Sequence, residues 1–173
     1  MEGKLTDTKH ILVALVEDKP GVLNRVASLF RRRSFNIQSL AVGGSENPGL
    51  SRMTIVTVGD SAQVEQVRKQ LEKLINVVKV SDITAEDTVT RELALIKVKA
   101  TPSTRSEIMQ IVDIFRANIV DVAPGSVTVE VTGDEEKVNS LLRLLRDFGV
   151  KEISRTGRIA LTRGSSSKMT ADS

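Results

Sequence analysis

A free amino acid presents two opposite charges on one small body, and one short stretch of this sequence has the residue types to meet both. Asp18-Lys19-Pro20-Gly21 ends an apolar run and opens onto a segment with helical spacing. The first N–H groups of a helix have no partner within it, and with the positive helix end they attract a small anion such as a carboxylate. Gly21 leaves room for close approach. Asp18 could hold an ammonium by a charge-assisted hydrogen bond, and Asn36, at the start of a later strand, offers both an acceptor and donors. Taken alone, Pro-Gly before a helix is also an ordinary start signal, so the spacing suggests a ligand without specifying one.

Other chemistry is mostly excluded. There are no cysteines and one histidine, which removes the usual zinc sets and the common Ser-His and Cys-His nucleophile pairs. His10 has nothing nearby in sequence to complete a catalytic or metal set and reads as structural. No carboxylate spacing marks an acid-base pair. Arg31, Arg32 and Arg33 offer positive charge to a phosphate, but they close a helical segment, where a solvated basic end is the simpler reading. With no Trp or Tyr and only four Phe, the chain gives single-stranded nucleic acid little to stack on. The 25 basic and 22 acidic residues leave a net charge of +3, too small to imply a nucleic acid or a membrane as partner.

The elements that must position these residues follow from periodicity. His10 to Asp18 reads as a buried strand, and Val22, Leu23, Val26, Ala27 and Phe30 give a helix. Asn36–Val42 and Ser51–Val58 form two strands around the Gly43–Gly49 loop, Val64, Val67, Leu71 and Leu74 a second helical stripe, and Val77–Ile83 a short strand. After the polar stretch Thr84–Thr88 the order returns: a strand over Glu92–Lys99, a helix through Ile108, Ile111, Val112 and Phe115, and strands at Ile119–Val122 and Val127–Val131. A helix through Val138, Leu141, Leu142, Leu145 and Phe148 and one strand within Lys151–Leu161 complete it.

The result is an α+β chain of two βαββαβ units. Local echoes support duplication: Phe30-Arg31 before Asn36-Ile37 recurs as Phe115-Arg116 before Asn118-Ile119, and Val58-Gly59-Asp60 as Thr132-Gly133-Asp134. The second unit has Thr101-Pro102-Ser103 where the first has Lys19-Pro20-Gly21, so it is expected to lack the ligand site. The length allows one ordinary domain or two small ones, no apolar run approaches the roughly 20 residues of a membrane helix, and the polar start and absent cysteines point to the cytoplasm.

Six stretches carry a more specific signal: EDKPGVLNRVASLFRRR from Glu17, FNIQSL from Phe35, SRMTIVTVGD from Ser51, IFRANIVDV from Ile114, VTGDEEKV from Val131 and RTGRIALTRG from Arg155. In these the chain resembles the small regulatory subunits of acetolactate (acetohydroxyacid) synthase. One departure is Ser34, where the family usually has Gly; a left-handed helix end there costs Ser about 1 kcal/mol.

The resemblance implies two ferredoxin-like units in tandem. The first, at 9–84, would be an ACT domain that binds the effector and dimerises, followed by a linker at 85–90, a C-terminal domain at 91–164 and a disordered tail at 165–173. It implies a homodimer whose ACT units pair edge to edge. Valine or a related branched-chain amino acid would lie between the Gly21 turn of one chain and the Asn36-Ile37 strand of the other. Gly21, Val22 and Leu23 would supply backbone contacts, with Asp18 and Asn36 as polar partners. The chain would be non-catalytic, activating a large catalytic subunit and conferring feedback inhibition in branched-chain amino acid synthesis. Thiamine diphosphate, Mg and FAD would belong to that large subunit. Two rival readings are weaker: RNA-recognition domains share the βαββαβ order but need aromatics on central strands, where this chain has Ile11, Val13, Met53 and Ile55, and an enzyme in its own right would need a catalytic set.

Overall fold

The computed structural model describes residues 8–164; the tail expected from 165 lies outside the described residues. The described residues divide into two compact units, 8–89 with 158–164, and 90–157.

The first unit contains β1 (Thr8–Glu17), α1 (Val22–Arg32), β2 (Ile37–Gly44), β3 (Leu50–Gly59), α2 (Ser61–Glu72) and β4 (Val77–Asp82), with strands in the antiparallel order β2-β3-β1-β4. Alternation sends Leu12, Ala14, Val16, Met53 and Ile55 to the face covered by Val22, Val26, Leu29 and Phe30 of α1 and Val64, Val67 and Leu71 of α2. Val13 and Leu15 point the other way and are equally buried, which is why β1 reads as an unbroken apolar run instead of an alternating one. The register Leu12↔Ile55 and Ala14↔Met53 puts Met53 and Ile55 on the helix face, opposite Ile11 and Val13, so these four central-strand residues form no common surface.

The second unit repeats the order with most of β5 (Thr88–Lys99), α3 (Arg105–Ile114), β6 (Asn118–Ala123), β7 (Ser126–Gly133), α4 (Glu135–Arg146) and β8 (Val150–Arg155), its strands running β6-β7-β5-β8. Ala94, Ile96, Val98, Val127, Val129 and Val131 face Ile108, Val112, Val138, Leu141 and Leu145. Strand β5 starts at Thr88, earlier than the periodicity placed it.

The two sequence echoes turn out to be helix caps. Asp60 and Asp134 are N-caps whose carboxylates accept from Ala62 N (3.1 Å) and Lys137 N (2.8 Å). At the other helix ends, Phe35 N donates to Phe30 O (3.0 Å) and Ala117 N to Val112 O (3.0 Å), each closing a turn through a left-handed residue, Ser34 (φ 58°) and Arg116 (φ 51°). The strain expected at Ser34 is therefore present, and Arg116 carries the same in the second unit.

The single strand expected within Lys151–Leu161 is two strands, β8 and β9 (Ile159–Thr162). Gly157 (φ 88°) breaks the run, and residues 158–164 belong to the first unit.

Candidate functional site

At the C-terminal end of β1 the chain leaves the sheet through Asp18, Lys19, Pro20 and Gly21, all exposed. Asp18 N donates to Gly49 O (2.8 Å) and Lys19 N to Glu17 O (3.0 Å), which fixes the turn. Gly21 is the N-cap of α1 at φ 85°, ψ −9°, and a Cβ built there meets no atom of this chain within 4 Å. The glycine is thus required by its left-handed backbone, and the space in front of it is open for a molecule from outside. The Val22 N–H reaches back to Lys19 O (3.4 Å), and the cap carries no side-chain hydrogen bond, so no side chain caps the following N–H groups, those of Leu23 and Asn24, at the positive end of the helix dipole. Val22 is buried in the core, while Leu23 stays 46% exposed and offers an apolar wall beside the turn.

Three residues that sequence patterns did not single out brace this turn. Asn76 Nδ2 donates to Glu17 Oε2 (2.7 Å), its carbonyl oxygen accepts from Glu17 N (2.9 Å), and its Oδ1 accepts from the Arg25 guanidinium. Lys19 Nζ lies 2.9 Å from the same Glu17 carboxylate. The Asn76 amide, with Lys19 second, holds the Glu17 carboxyl below its ordinary range. A single Asn immediately before a strand carries no periodic signal, which is why it was invisible in the sequence.

Asn36 and Ile37 are not at this place in the same chain. Ile37 pairs with Thr57, and Thr57 with His10, whereas Glu17 pairs with Leu50 at the other end of the sheet. From His10 to Glu17 the strand rises by roughly 24 Å at about 3.4 Å per residue. The structure thus groups Asp18, Gly21, Val22 and Leu23 and leaves Asn36 and Ile37 at the far end of the sheet. Asn36 is exposed, and its carbonyl accepts from Thr57 Oγ1 (2.9 Å).

The corresponding turn of the second unit is occupied by its own side chains. Thr101 N donates to Thr104 Oγ1 (2.9 Å), Thr104 N to Thr101 Oγ1 (3.3 Å), and the Thr101 and Ser103 hydroxyls meet at 2.9 Å. Ser103 is not among the left-handed residues, and α3 begins at Arg105, one position later relative to the proline than α1.

His10 is buried, with Nδ1 3.3 Å from Asp82 Oδ2 and Nε2 2.9 Å from Thr8 Oγ1, a structural arrangement. Among the described residues no group of three or more His, Cys, Asp or Glu could hold a metal ion, and no helix is long and apolar enough to cross a membrane.

Comparison with known proteins resolves the family. Residues 12–79 match the model of the AHAS small subunit-like ACT domain, and residues 91–164 that of the small subunit of acetolactate synthase. A "probable acetolactate synthase small subunit" of Methanothermobacter thermautotrophicus is 58% identical over 157 residues, covering 90% of this chain and 94% of its own length. The acetolactate synthase small subunit of Mycobacterium bovis is 54% identical over 155 residues, at 90% and 92% coverage. The crystal structure of the acetolactate synthase small subunit from Thermotoga maritima superposes with a TM-score of 0.84 at 44% identity, over 92% of this chain and 99% of that one. With an amino-terminal ACT-type unit, a second unit of the same βαββαβ order and this similarity along nearly the whole chain, the protein belongs to the acetolactate synthase small-subunit family.

Proposed function

We propose that this chain is a feedback sensor: as a homodimer it binds valine or a related branched-chain amino acid at the Gly21 turn, and through that binding it controls a large catalytic subunit that it also activates. The observation that carries the effector site is the sheet register. A ligand as small as valine cannot touch both Gly21 and Asn36 of one chain across roughly 24 Å, yet the two together supply what its carboxylate and ammonium need. Antiparallel pairing of β2 with β2 of a second copy about a two-fold axis resolves this, because it turns the Asn36-Ile37 end of one strand toward the end where the other chain's Asp18–Gly21 turn lies.

Strand β2 suits that pairing. Its sequence IQSLAVGG has no charge and no proline, whereas the outer strands β4, β6 and β8 carry Lys79 and Asp82 (β4), Asp121 (β6), or Lys151, Glu152 and Arg155 (β8). Edge strands that avoid pairing are ordinarily blunted by such charges. In the shared site, Gly21, Val22 and Leu23 give backbone N–H groups to the carboxylate, Asp18 and the second copy's Asn36 meet the ammonium, and Leu23 and Ile37 enclose the aliphatic side chain. At roughly 0.5 to 0.8 kcal/mol per heavy atom, such a ligand binds in the micromolar to millimolar range, matched to a metabolite pool.

Catalysis, with its thiamine diphosphate, Mg and FAD, lies on the large subunit, and the assembly works in the cytoplasm. The RNA-binding alternative is disfavoured by the phenylalanines: Phe30, Phe35, Phe115 and Phe148 all belong to the helix-side cores, leaving no ring on an open sheet face. The test is calorimetric titration of the pure chain with valine, leucine and isoleucine, then reconstitution with the large subunit. The expectation is one ligand per chain and inhibition over the same concentration range; turnover of pyruvate by this chain alone would contradict the reading.

A further inference from the structure

We infer that β9 is the relay that carries effector occupancy out of the first unit, with Arg52 and Ser39 as the positioning residues that hold it; this rests on the effector reading above. After Gly157 the chain leaves β8; β9 pairs with β5, and three further anchors lie in the first unit. Arg158 N donates to Ser39 Oγ (2.8 Å), Arg52 Nη2 donates to Ala160 O (3.1 Å), and Arg163 N donates to Asp87 O (2.8 Å). The Ala160 methyl is 4% exposed and packs on Val13, Leu15 and Ile83.

These anchors are not scattered over the unit. Ser39 lies in β2, two residues after Ile37, and Val13 and Leu15 lie in β1, the strand that ends in the Asp18–Gly21 turn. Strand β9 therefore touches both strands that deliver the two halves of the proposed site, on the sheet face opposite α1 and α2. Close-packed contacts of this kind do not absorb a shift by compression, so a displacement of β1 or β2 as a ligand seats is passed to β9 and along the chain to Gly157 and β8. Arg52 tightens the coupling: burial lowers its guanidinium from its ordinary range, with Glu46 opposing, and a half-buried guanidinium depends on its acceptor, here the Ala160 carbonyl. On the outer side, Ile159 and Leu161 stay 58% and 61% exposed, so it is only the inward face of β9 that is committed to the first unit.

The test uses the full-length chain, alone and reconstituted with the catalytic subunit, in the variants Arg52→Met, Ser39→Ala and Arg52→Lys, with valine as probe. The relay predicts that Arg52→Met and Ser39→Ala bind valine in calorimetry within about two-fold of the unmodified chain, while the coupling between valine and holoenzyme activity falls about five-fold or more. Arg52→Lys, which keeps a donor for the Ala160 carbonyl, restores the coupling. Two results overturn it: inhibition unchanged in both variants, or binding and inhibition weakened by the same factor, which would make β9 a brace for the site and no more. If the unmodified chain binds none of valine, leucine and isoleucine, the effector reading fails first and takes this inference with it, a pattern distinct from either of the others.

Discussion

Two helices, α1 and α3, begin at corresponding points of the same supersecondary unit, and neither N-cap makes a side-chain hydrogen bond to its helix, yet the turns that lead into them are built in opposite ways. The turn before α3 closes on itself through the hydroxyls of Thr101, Ser103 and Thr104. The turn before α1 has a left-handed glycine, no capping side chain and open space in front of it. A turn that needs only structure ties its own backbone with side chains, as the turn before α3 does in taking up Thr101 N and Thr104 N. A left-handed glycine facing open space in one copy and a turn tied by hydroxyls in the other separate a turn with room for a ligand from one that occupies itself.

The sharpest way to break this comparison is to close the first turn. Gly21→Val puts a β-branched residue at φ 85° and a side chain into the open space; valine affinity is expected to fall at least about 100-fold, with a loss of fold stability of about 1 to 2 kcal/mol from the left-handed backbone. Calorimetry and a thermal melt separate the two effects, and retained binding would show that the ligand sits elsewhere.

Opening the second turn is the converse experiment. Thr101→Val removes the hydroxyl that serves Thr104 N and Ser103, and we expect about 1 kcal/mol of destabilisation by denaturant titration. Valine stoichiometry and affinity should not change; a change would mean that the second unit takes part in binding.

A third change leaves both turns alone and acts at the far ends of their helices. Ser34→Gly and Arg116→Gly each relieve a left-handed non-glycine residue and should raise stability by up to about 1 kcal/mol, with effector binding unaffected. A melting temperature that falls in either variant would show that the side chain contributes more than the backbone strain costs.

The smallest effect concerns acid. Because the folded-state pKa of Glu17 is lowered, its contribution is fully present above the ordinary carboxyl value of 4.5 and is lost as pH falls through the lowered folded value. Glu17→Gln should therefore lower stability slightly at neutral pH, leave it unchanged below the lowered folded value, and so flatten the acid limb of the stability profile. An acid limb identical to that of the unmodified chain would mean that the Asn76 and Lys19 contacts do not persist in solution.

Much of this architecture was legible in the residues. The apolar run of β1, the helical stripes and the paired echoes gave two βαββαβ units, and the echoes marked caps, whose chemistry is local and so visible in sequence. What escaped was long-range. Nothing around Arg155–Leu161 announces that Gly157 splits a strand and returns β9 to the first unit, because that depends on Ala160 finding Val13 and Leu15 more than a hundred residues away. The same holds for Asn76, whose three bonds to Glu17 and Arg25 are set by the fold and not by spacing. At the candidate site the residue types Asp18, Gly21 and Asn36 could be read, but their separation within one chain appeared only with the strand register.

That separation is the centre of the account, and mixed dimers test it most directly. Chains carrying Gly21→Val and chains carrying Asn36→Ala each form homodimers with both sites broken, whereas a dimer of one with the other keeps one site whole. After the two are unfolded together and refolded in equal amounts, valine titration should recover about a quarter of the unmodified number of sites, as a statistical mixture of two-fold dimers requires. Recovery of none, with heterodimers present, would contradict a site shared between two copies.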